Sequence, residues 1–274
     1  MTFAPRASTR LFALLGDPVS HSLSPAFQNA ALRAAGLDGV YVALRCASSD
    51  VAGLIHGIAR AGGGGNVTVP HKSAAAAAVE RRTEMVERTG ACNTFWMDGG
   101  EVWGDNTDVA GVRAAIRGLT GDAPESVLLV GAGGAARAVL CALEGVTRRV
   151  VILNRSVERA RELASRFASG ALAIEVQPLD AELTDRHFGL AINSTSLGLR
   201  ADDPLPPTGD ARIAAALDLV YSPGETAWVH RMRAAGLPAA DGKEMLLHQG
   251  AAAFRRWWNT DPPLDAMRAS LAAT

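Results

Sequence analysis

The feature that most narrows the folds open to this chain is a four-residue apolar run, Val127-Leu128-Leu129-Val130, followed at once by Gly131-Ala132-Gly133-Gly134-Ala135-Ala136. A short apolar run bounded by glycine reads as a strand buried on both faces, and such strands belong to parallel sheets covered by helices. Gly131, Gly133 and Ala136 form the spacing G-x-G-x-x-A where strand gives way to helix. Each small residue has a mechanical use there. Gly131 permits the tight turn, Gly133 lets the backbone approach a pyrophosphate, and Ala136 lets helix pack close to strand. The exposed N–H groups at the helix start, with the positive end of the helix dipole, favour phosphates. Strand, spacing and helix together predict a dinucleotide site, and this reading outranks a glycine turn needed only for packing.

The end of the next strand selects the dinucleotide. An NAD site usually places Asp or Glu there to accept from the ribose 2′-OH. This chain has Asn154, then Arg155, Ser156 and Arg159. Without a carboxylate nothing repels a 2′-phosphate, and two guanidiniums can clamp it. The expected cofactor is therefore NADP, against the blander reading that Arg155 and Arg159, with Arg161 and Arg166 nearby, form a solvated helix face.

Strand-like and helix-like runs alternate along the rest of the chain. In the first half, strands are expected at Leu11–Leu15, Val40–Arg45 and Asn66–Val69, with helices at Pro25–Ala35, Val51–Ala61 and about Ser73–Arg82. A hairpin is expected from Thr94–Met97 through Asp98-Gly99-Gly100 to Glu101–Trp103. A helix over about 108–119 leads into the Gly121-Asp122-Ala123-Pro124 linker signal. Beyond it, Val127–Val130, Val150–Leu153, Ile174–Val176, Leu190–Ile192 and Leu217–Val220 are expected to build a second parallel sheet. Its helices follow the glycine loop to about Glu144, then run over Ser156–Ala168 and about Thr226–Ala235. Two helices close the chain, near Lys243–Trp258 and Leu264–Leu271. The fold class is α/β, in two α/β domains.

Composition excludes several kinds of function. The 274 residues carry 27 Lys+Arg against 28 Asp+Glu, a net charge of -1, so no broad basic field is available for nucleic acid or an anionic membrane. The longest apolar runs, such as Ala74–Val79, fall far short of a membrane span. Cys46, Cys92 and Cys141 are scattered and lack CxxC spacing, as expected of buried thiols in a reducing compartment and not of a disulfide framework or zinc site. The first ten residues, MTFAPRASTR, are too short for a transit peptide and are expected to fray; the expected location is cytoplasmic. His21, His56, His187, His230 and His248 have no metal-ligand spacing, so no metal is assigned. Oligomeric state is left open between monomer and homodimer.

Three polar clusters mark the first half. In Ser20-His21-Ser22-Leu23-Ser24-Pro25, Ser24 suits the N-cap and Pro25 the first helical position, while Ser22 and Ser24 together make a carboxylate seat at a helix N-terminus. In Asn66-Val67-Thr68-Val69-Pro70-His71-Lys72, strand alternation sends Asn66 and Thr68 to one face and Val67 and Val69 to the other. Lys72 then stands just past the strand's C-terminal end, where open α/β sheets bind ligands. Gly104-Asp105-Asn106-Thr107-Asp108 is the third cluster. Hydride exchange at a secondary alcohol needs a proton to move with the hydride, and a lysine amine beside a carboxylate can move it. An isolated lysine is usually a solvated surface residue, and spacing alone does not bring Lys72 and Asp108 together.

These segments, in order, resemble the shikimate dehydrogenase family along nearly the whole chain. The matching stretches are Gly16-Asp17-Pro18 with Ser22–Pro25, Asn66–Lys72, Gly90–Thr94, Gly104–Asp108, Gly131–Arg137, Asn154–Arg159, Asn193–Gly198, Tyr221-Ser222-Pro223 and Asp241–Gln249. The resemblance implies a reversible NADP-linked reduction of 3-dehydroshikimate to shikimate, in the shikimate pathway of aromatic amino-acid biosynthesis, with hydride transfer at ring carbon 3. It implies a substrate-binding and catalytic domain over 1–107, completed by 243–274, a Rossmann NADP-binding domain over 108–242, and a cleft between them. Lys72 and Asp108 would be the catalytic acid–base pair. Ser22, Ser24 and Tyr221 would hold the substrate carboxylate, and Thr68, Asn93, Asp108 and Gln249 the ring hydroxyls. Gly131, Ala132, Gly133, Gly134, Ala135, Asn154, Arg155, Ser156, Arg159 and Thr195 would bind NADP, with Gly242 and Met245 near the nicotinamide. Cys92 stands where the family usually has an aliphatic residue and Leu199 where methionine is common, and neither removes a catalytic group. His71, at a position that varies in the family, is left out of the mechanism. The alternatives are a quinate/shikimate or aminoshikimate dehydrogenase on the same scaffold, and a protein that senses NADP without turnover.

Overall fold

Gly62–Gly65 leads into a strand whose neighbours leave no room for a side chain. In the computed structural model, which describes residues 5–200, 202–222 and 224–273, a Cβ added to Gly65 would lie 2.1 Å from the Ala13 carbonyl oxygen and 2.8 Å from the Phe95 ring. One added to Gly64 would lie 3.0 Å from Trp257. Glycine here lets aromatic side chains close on both faces of the central strand.

The elements in order are β1 (Arg10–Gly16), α1 (Ser24–Ala34), β2 (Gly39–Arg45), α2 (Val51–Arg60), β3 (Gly64–Val67), α3 (Lys72–Ala78), β4 (Arg81–Arg82), α4 (Glu84–Thr89), β5 (Thr94–Asp98), β6 (Glu101–Asp105) and α5 (Asp108–Thr120). There follow β7 (Ser126–Val130), α6 (Gly134–Leu143), β8 (Arg149–Asn154), α7 (Val157–Phe167), β9 (Ala173–Pro178), β10 (His187–Phe188), β11 (Leu190–Asn193), β12 (Arg212–Ile213), β13 (Ala216–Asp218), α8 (Ala227–Ala234) and β14 (Ala239–Ala240). Helices α9 (Lys243–Trp258) and α10 (Leu264–Ala272) close the chain. Two units result, one of Met1–Gly111 with Leu246–Thr274, the other of Val112–Met245. Asp108 therefore falls in the first unit, on the other side of the boundary from the division at 107 expected from sequence.

The first unit's sheet has the order β2-β1-β3-β5-β6-β4. Strands β1, β2 and β3 are parallel, and β5 runs antiparallel to both β3 and β6. The β5–β6 turn is the pair Gly99 and Gly100, at φ 57° and 84°, as a two-residue hairpin requires. One face of the sheet is covered by α1, α9 and α10 through Phe12, Phe27, Tyr41, Trp96, Phe254, Trp257 and Met267. The other packs on α2, α3 and α4 through Ile55, Ile58, Ala75, Val86 and Phe95. The second unit's sheet, β14-β13-β11-β7-β8-β9, is parallel throughout. Numbered within the unit's own sheet, that order is 3-2-1-4-5-6, the doubly wound dinucleotide-binding arrangement. Among the described residues, no helix is long and apolar enough to cross a membrane.

Three local expectations need correction. The alanine-rich helix stops at Ala78, short of Arg82, because Val79 turns extended into the core. Glu80 then donates its N–H to the Val102 carbonyl and accepts Val102's N–H on its carboxylate, drawing the chain into the sheet. Strand β3 ends at Val67, so the expected alternation holds for Asn66 and Val67, which face opposite sides of the sheet, but does not extend to Thr68 and Val69. Asn66 and Val67 are both buried because both faces are covered, whereas Val69 is 67% exposed beyond the strand. Leu23, not Ser24, is the N-cap of α1 and makes no side-chain cap bond, while the Ser22 hydroxyl accepts the Ser24 N–H at 3.2 Å. Pro223 and the first four residues of the expected frayed terminus lie outside the described residues.

Gly65→Ala should destabilise the protein by about 3 kcal/mol, the upper end of overpacking costs, because the added carbon meets backbone. Urea unfolding checks this, and an unchanged midpoint would contradict the packing described.

Candidate active site

Asn93 is buried, and its carboxamide uses both ends. Its Oδ1 accepts from the Thr107 N–H at 2.8 Å, the Thr107 hydroxyl at 3.1 Å and the Thr94 hydroxyl at 3.0 Å. Its Nδ2 donates to Asp108 Oδ1 at 2.8 Å and to Gln249 Oε1 at 3.4 Å. The loop between β6 and α5 thus wraps around one side chain, and Asp108 emerges as the first residue of α5. Its own N–H is held by Asn106 Oδ1 at 3.2 Å. Asn106 is fixed in turn by donating to the Thr89 hydroxyl at 2.8 Å and the Ala91 carbonyl at 3.0 Å.

Lys72 opens α3 and reaches the other oxygen, donating from Nζ to Asp108 Oδ2 at 2.5 Å. The Asp108 side chain is 9% exposed and that of Lys72 26%, so one flank of the pair is open to a ligand. His71 is committed elsewhere. Its ring bonds the Cys46 carbonyl at 3.0 Å and the Ser48 hydroxyl at 3.2 Å, which anchors the turn into α3.

A second polar line runs from the start of α1. Tyr41, beside Ser24, donates to Asn66 Oδ1 at 2.8 Å. Burial pushes the Tyr41 phenol far up, so it stays a neutral donor. Asn66 Nδ2 donates to the Asn93 carbonyl at 3.1 Å and to the Thr94 hydroxyl at 2.9 Å. Tyr41, which neighbours the start of α1, is therefore tied through Asn66 to the Asn93–Asp108–Lys72 cluster. Thr68 stands half-buried at the end of β3.

In the second unit, Gly131 takes φ 107°, and a Cβ there would lie 2.7 Å from both Ser194 Oγ and Thr195 Cγ2. The glycine loop and Thr195 thus meet where β7 and β11 part, at the switch point of the sheet. Gly133 caps α6, and a Cβ on Gly133 or Gly134 would meet nothing within 4 Å, so the N-terminal turn of α6 is open to a phosphate. Ala136 is wholly buried under the helix. At the end of β8, Asn154 donates to the Ser156 carbonyl at 2.7 Å, and Ser156 caps α7 by accepting from the Arg159 N–H at 3.3 Å. Arg155 and Arg159 are exposed. These residues fit a dinucleotide bearing a 2′-phosphate: an open helix terminus, no carboxylate at the end of β8, and two exposed guanidiniums. Ala132 is buried, Ala135 partly so, and Gly242 has its N–H on the Val220 carbonyl at 3.0 Å, with Met245 partly buried two residues into α9. Tyr221 is half-buried, and desolvation pushes its phenol up.

Thr195 is held from beneath. Asn193 Oδ1 accepts from its N–H at 3.0 Å and its hydroxyl at 2.7 Å, while Asn193 Nδ2 donates to Asp218 at 2.8 Å. Asp218 is fully buried, and desolvation raises its pKa above the ordinary carboxylate value in spite of the bonds from Thr226, Val220 and Asn193. Among the described residues, no cluster of three or more side chains could hold a metal ion.

Comparison with known proteins settles the lineage. Residues 14–95 match the shikimate dehydrogenase substrate binding domain, 117–197 the shikimate / quinate 5-dehydrogenase family, and 242–272 the shikimate 5'-dehydrogenase C-terminal domain. The shikimate dehydrogenase (NADP(+)) of Halobacterium salinarum is 41% identical over 270 residues, which are 96% of this chain and 98% of that one. That of Methylocella silvestris is 40% identical over 264 residues, 93% of this chain and 92% of that one. The chain belongs to the shikimate dehydrogenase family. The solved shikimate 5-dehydrogenase of Thermus thermophilus in complex with NADP(H) and shikimate superposes with a TM-score of 0.84 at 36% identity, over 96% of this chain and 98% of that one.

Family membership accounts for the α/β architecture read from the sequence, and the structure supplies the contacts that spacing could not. It brings Lys72, Asp108, Asn93 and Gln249 into one network in the first unit and gathers the glycine loop and Thr195 in the second. Sequence reasoning assigned no role to Tyr41, Asn106, Thr107 or Asp218. Asn106 and Thr107 were within reach, since they lie in a polar run that precedes a helix. Tyr41 carried no such signal.

The raised pKa of Asp218 has a testable sign. The folded state binds that proton more tightly than the unfolded chain, so this contribution to stability is full below the ordinary carboxylate pKa and is lost as pH rises through the raised value. Asp218→Asn should therefore gain stability relative to the parent as pH rises from about 4 to 7, measured as the difference in Tm. A difference independent of pH would refute the assignment.

Proposed function

We propose that this protein is an NADP-dependent shikimate dehydrogenase, an oxidoreductase acting on a secondary alcohol, with Lys72 and Asp108 as its proton-handling pair. The observation that carries the reading is the 2.5 Å bond between Lys72 Nζ and Asp108 Oδ2, in a chain whose similar relatives are named shikimate dehydrogenase (NADP(+)). When bound, NADP supplies the hydride acceptor for shikimate, and NADPH the donor for 3-dehydroshikimate.

The chain's own groups handle the rest. Asp108 accepts from the reacting hydroxyl and from Lys72, which sets the hydroxyl against the amine. A neutral Lys72 takes the hydroxyl proton as hydride departs, and the ammonium returns it to the ketone oxygen in the reverse direction. Thr68, Asn93 and Gln249 bind the ring hydroxyls, and Ser22 and Ser24 the carboxylate. Arg155 and Arg159 bind the 2′-phosphate, with Ser156 and Asn154 shaping the turn between them. The glycine loop and Thr195 take the pyrophosphate side. Tyr221, Gly242 and Met245 keep the carboxylate and nicotinamide roles that the resemblance gives them. By this reading, the unit of residues 1–111 with 246–274, which holds Asp108, serves the substrate, and that of 112–245 the cofactor, in place of the division at 107 and 243 expected from sequence. Three buried free cysteines support a reducing, cytosolic location.

Cofactor reduction followed spectrophotometrically, crossing shikimate and quinate with NADP and NAD, tests the assignment. Turnover confined to shikimate with NADP is expected, and comparable quinate or NAD turnover would move the protein to a dual-specificity group. Lys72→Ala should lower kcat by roughly 10²–10⁴-fold, the loss typical of a general acid–base, with a smaller change in KM. Near-normal turnover would remove Lys72 from the mechanism. Arg159→Ala should cut the preference for NADP over NAD by roughly 10–100-fold, the worth of one charge-assisted bond. An unchanged preference would return Arg159 to the role of a solvated surface residue.

A further inference from the structure

Asp105 is a buried carboxylate that the proposed reaction does not use. Its Oδ1 accepts from the Thr83 hydroxyl at 2.6 Å and the Asn106 N–H at 2.8 Å. Its Oδ2 accepts from Arg256, whose Nε and Nη2 both lie at 2.9 Å. The carboxylate is thus fully engaged within the protein, and Arg256 supplies the charge that compensates its burial. The Arg256 guanidinium also lies over the Trp96 ring, 5.5 Å from its centroid, which limits the orientations it can take.

The position of this pair matters more than its charge. Arg256 sits on α9 seven residues after Gln249, which is two turns along the same helix face, a rise of about 10 Å. The main chain of Asp105 accepts the Asn93 N–H at 3.0 Å, and the Asn93 side chain donates to Gln249 at 3.4 Å. A closed circuit results: Asn93 to Asp105 through the sheet, Asp105 to Arg256, Arg256 along α9 to Gln249, and Gln249 back to Asn93. Asp108 lies three residues beyond Asp105 on the same loop, its N–H fixed by Asn106.

We propose that Arg256 is a positioning residue for substrate binding: by fastening α9 to Asp105 it sets both Gln249 and the loop that carries Asp108. Without it, Oδ2 of Asp105 loses both donors while still buried, and the loop moves to rehydrate it. The movement is passed to Asn93, Gln249 and Asp108. The kinetic part of this inference rests on the function proposed above, and the structural part does not.

Arg256→Met and Arg256→Lys in the full chain separate the two. Lysine keeps the charge but not the fork, so it should restore only part of the effect. In Arg256→Met, backbone amide exchange at Asn93, Thr107 and Asp108 should speed up by at least about tenfold. The KM for shikimate should rise by about 10–100-fold, the usual range for misplaced binding groups, with the KM for NADP unchanged. The lysine variant, which preserves the ion pair if the methionine variant does not fold, should show the same pattern at smaller size. Unchanged exchange at those amides overturns the proposal whatever the kinetics. Faster exchange with an unchanged shikimate KM in an active enzyme overturns it too, leaving a merely structural ion pair. An equal rise in both KM values would also overturn it, since the effect would then not be confined to the substrate side. If the parent enzyme does not turn over shikimate, it is the functional reading that fails, and the exchange measurement still decides the clamp.

Discussion

Everything in the first unit that bears on chemistry depends on how the Asp108 carboxylate is shared. One oxygen accepts from Asn93 and the other from Lys72, at 2.8 and 2.5 Å. Two charge-assisted bonds of this kind contribute about 1.5–3 kcal/mol each, which offsets much of the cost of burying the carboxylate. Asn93 has no freedom to let go, because its Oδ1 already holds the loop that presents Asp108. Lys72, with a quarter of its side chain exposed, is the mobile partner. The arrangement is rigid on the side of the sheet and adjustable on the side of the ligand, as a proton-transfer pair needs to be.

The sheet exists in the form that makes this possible. Gly64 and Gly65 let Trp257 and Phe95 press against the central strand, and Asn66 follows at once on that strand, bonded to Asn93 and Thr94 across β5. The side chains that fill the core and those that fix the site therefore come from neighbouring positions on the same strands. The bond from Tyr41 to Asn66 continues the network to β2, 25 residues away in sequence. In the second unit a shorter relay, Asp218–Asn193–Thr195, supports the loop opposite Gly131.

Much of this was legible in the sequence, for definite physical reasons. Apolar runs mark strands buried on both faces, so β7, β8 and β11 could be read directly, and the glycine spacing located the start of α6. The hairpin turn declared itself through Gly99 and Gly100. What escaped was set by contacts between distant residues. The early end of α3 depends on the Glu80–Val102 pairing, which no local propensity encodes. Ser24 is not the N-cap because α1 begins at Ser24 itself, one residue earlier than the capping pattern implies. Two-residue strands such as β4, β10 and β14 are too short to have a period. Lys72 and Asp108 were singled out by type and position, but only the fold brings them together. Asn93 came from the family resemblance alone, and its central place in the network has no sequence signature at all.

The central claim is that Lys72 and Asp108 act as one unit, and a double-mutant cycle on kcat/KM for shikimate tests it most directly. Lys72→Met, Asp108→Asn and the combined variant are compared with the parent. If the two groups share one proton-transfer step, the combined variant is about as impaired as the worse single variant, as expected for residues that act together. Losses that multiply, so that the two free-energy changes add, would mean independent contributions and would contradict the account.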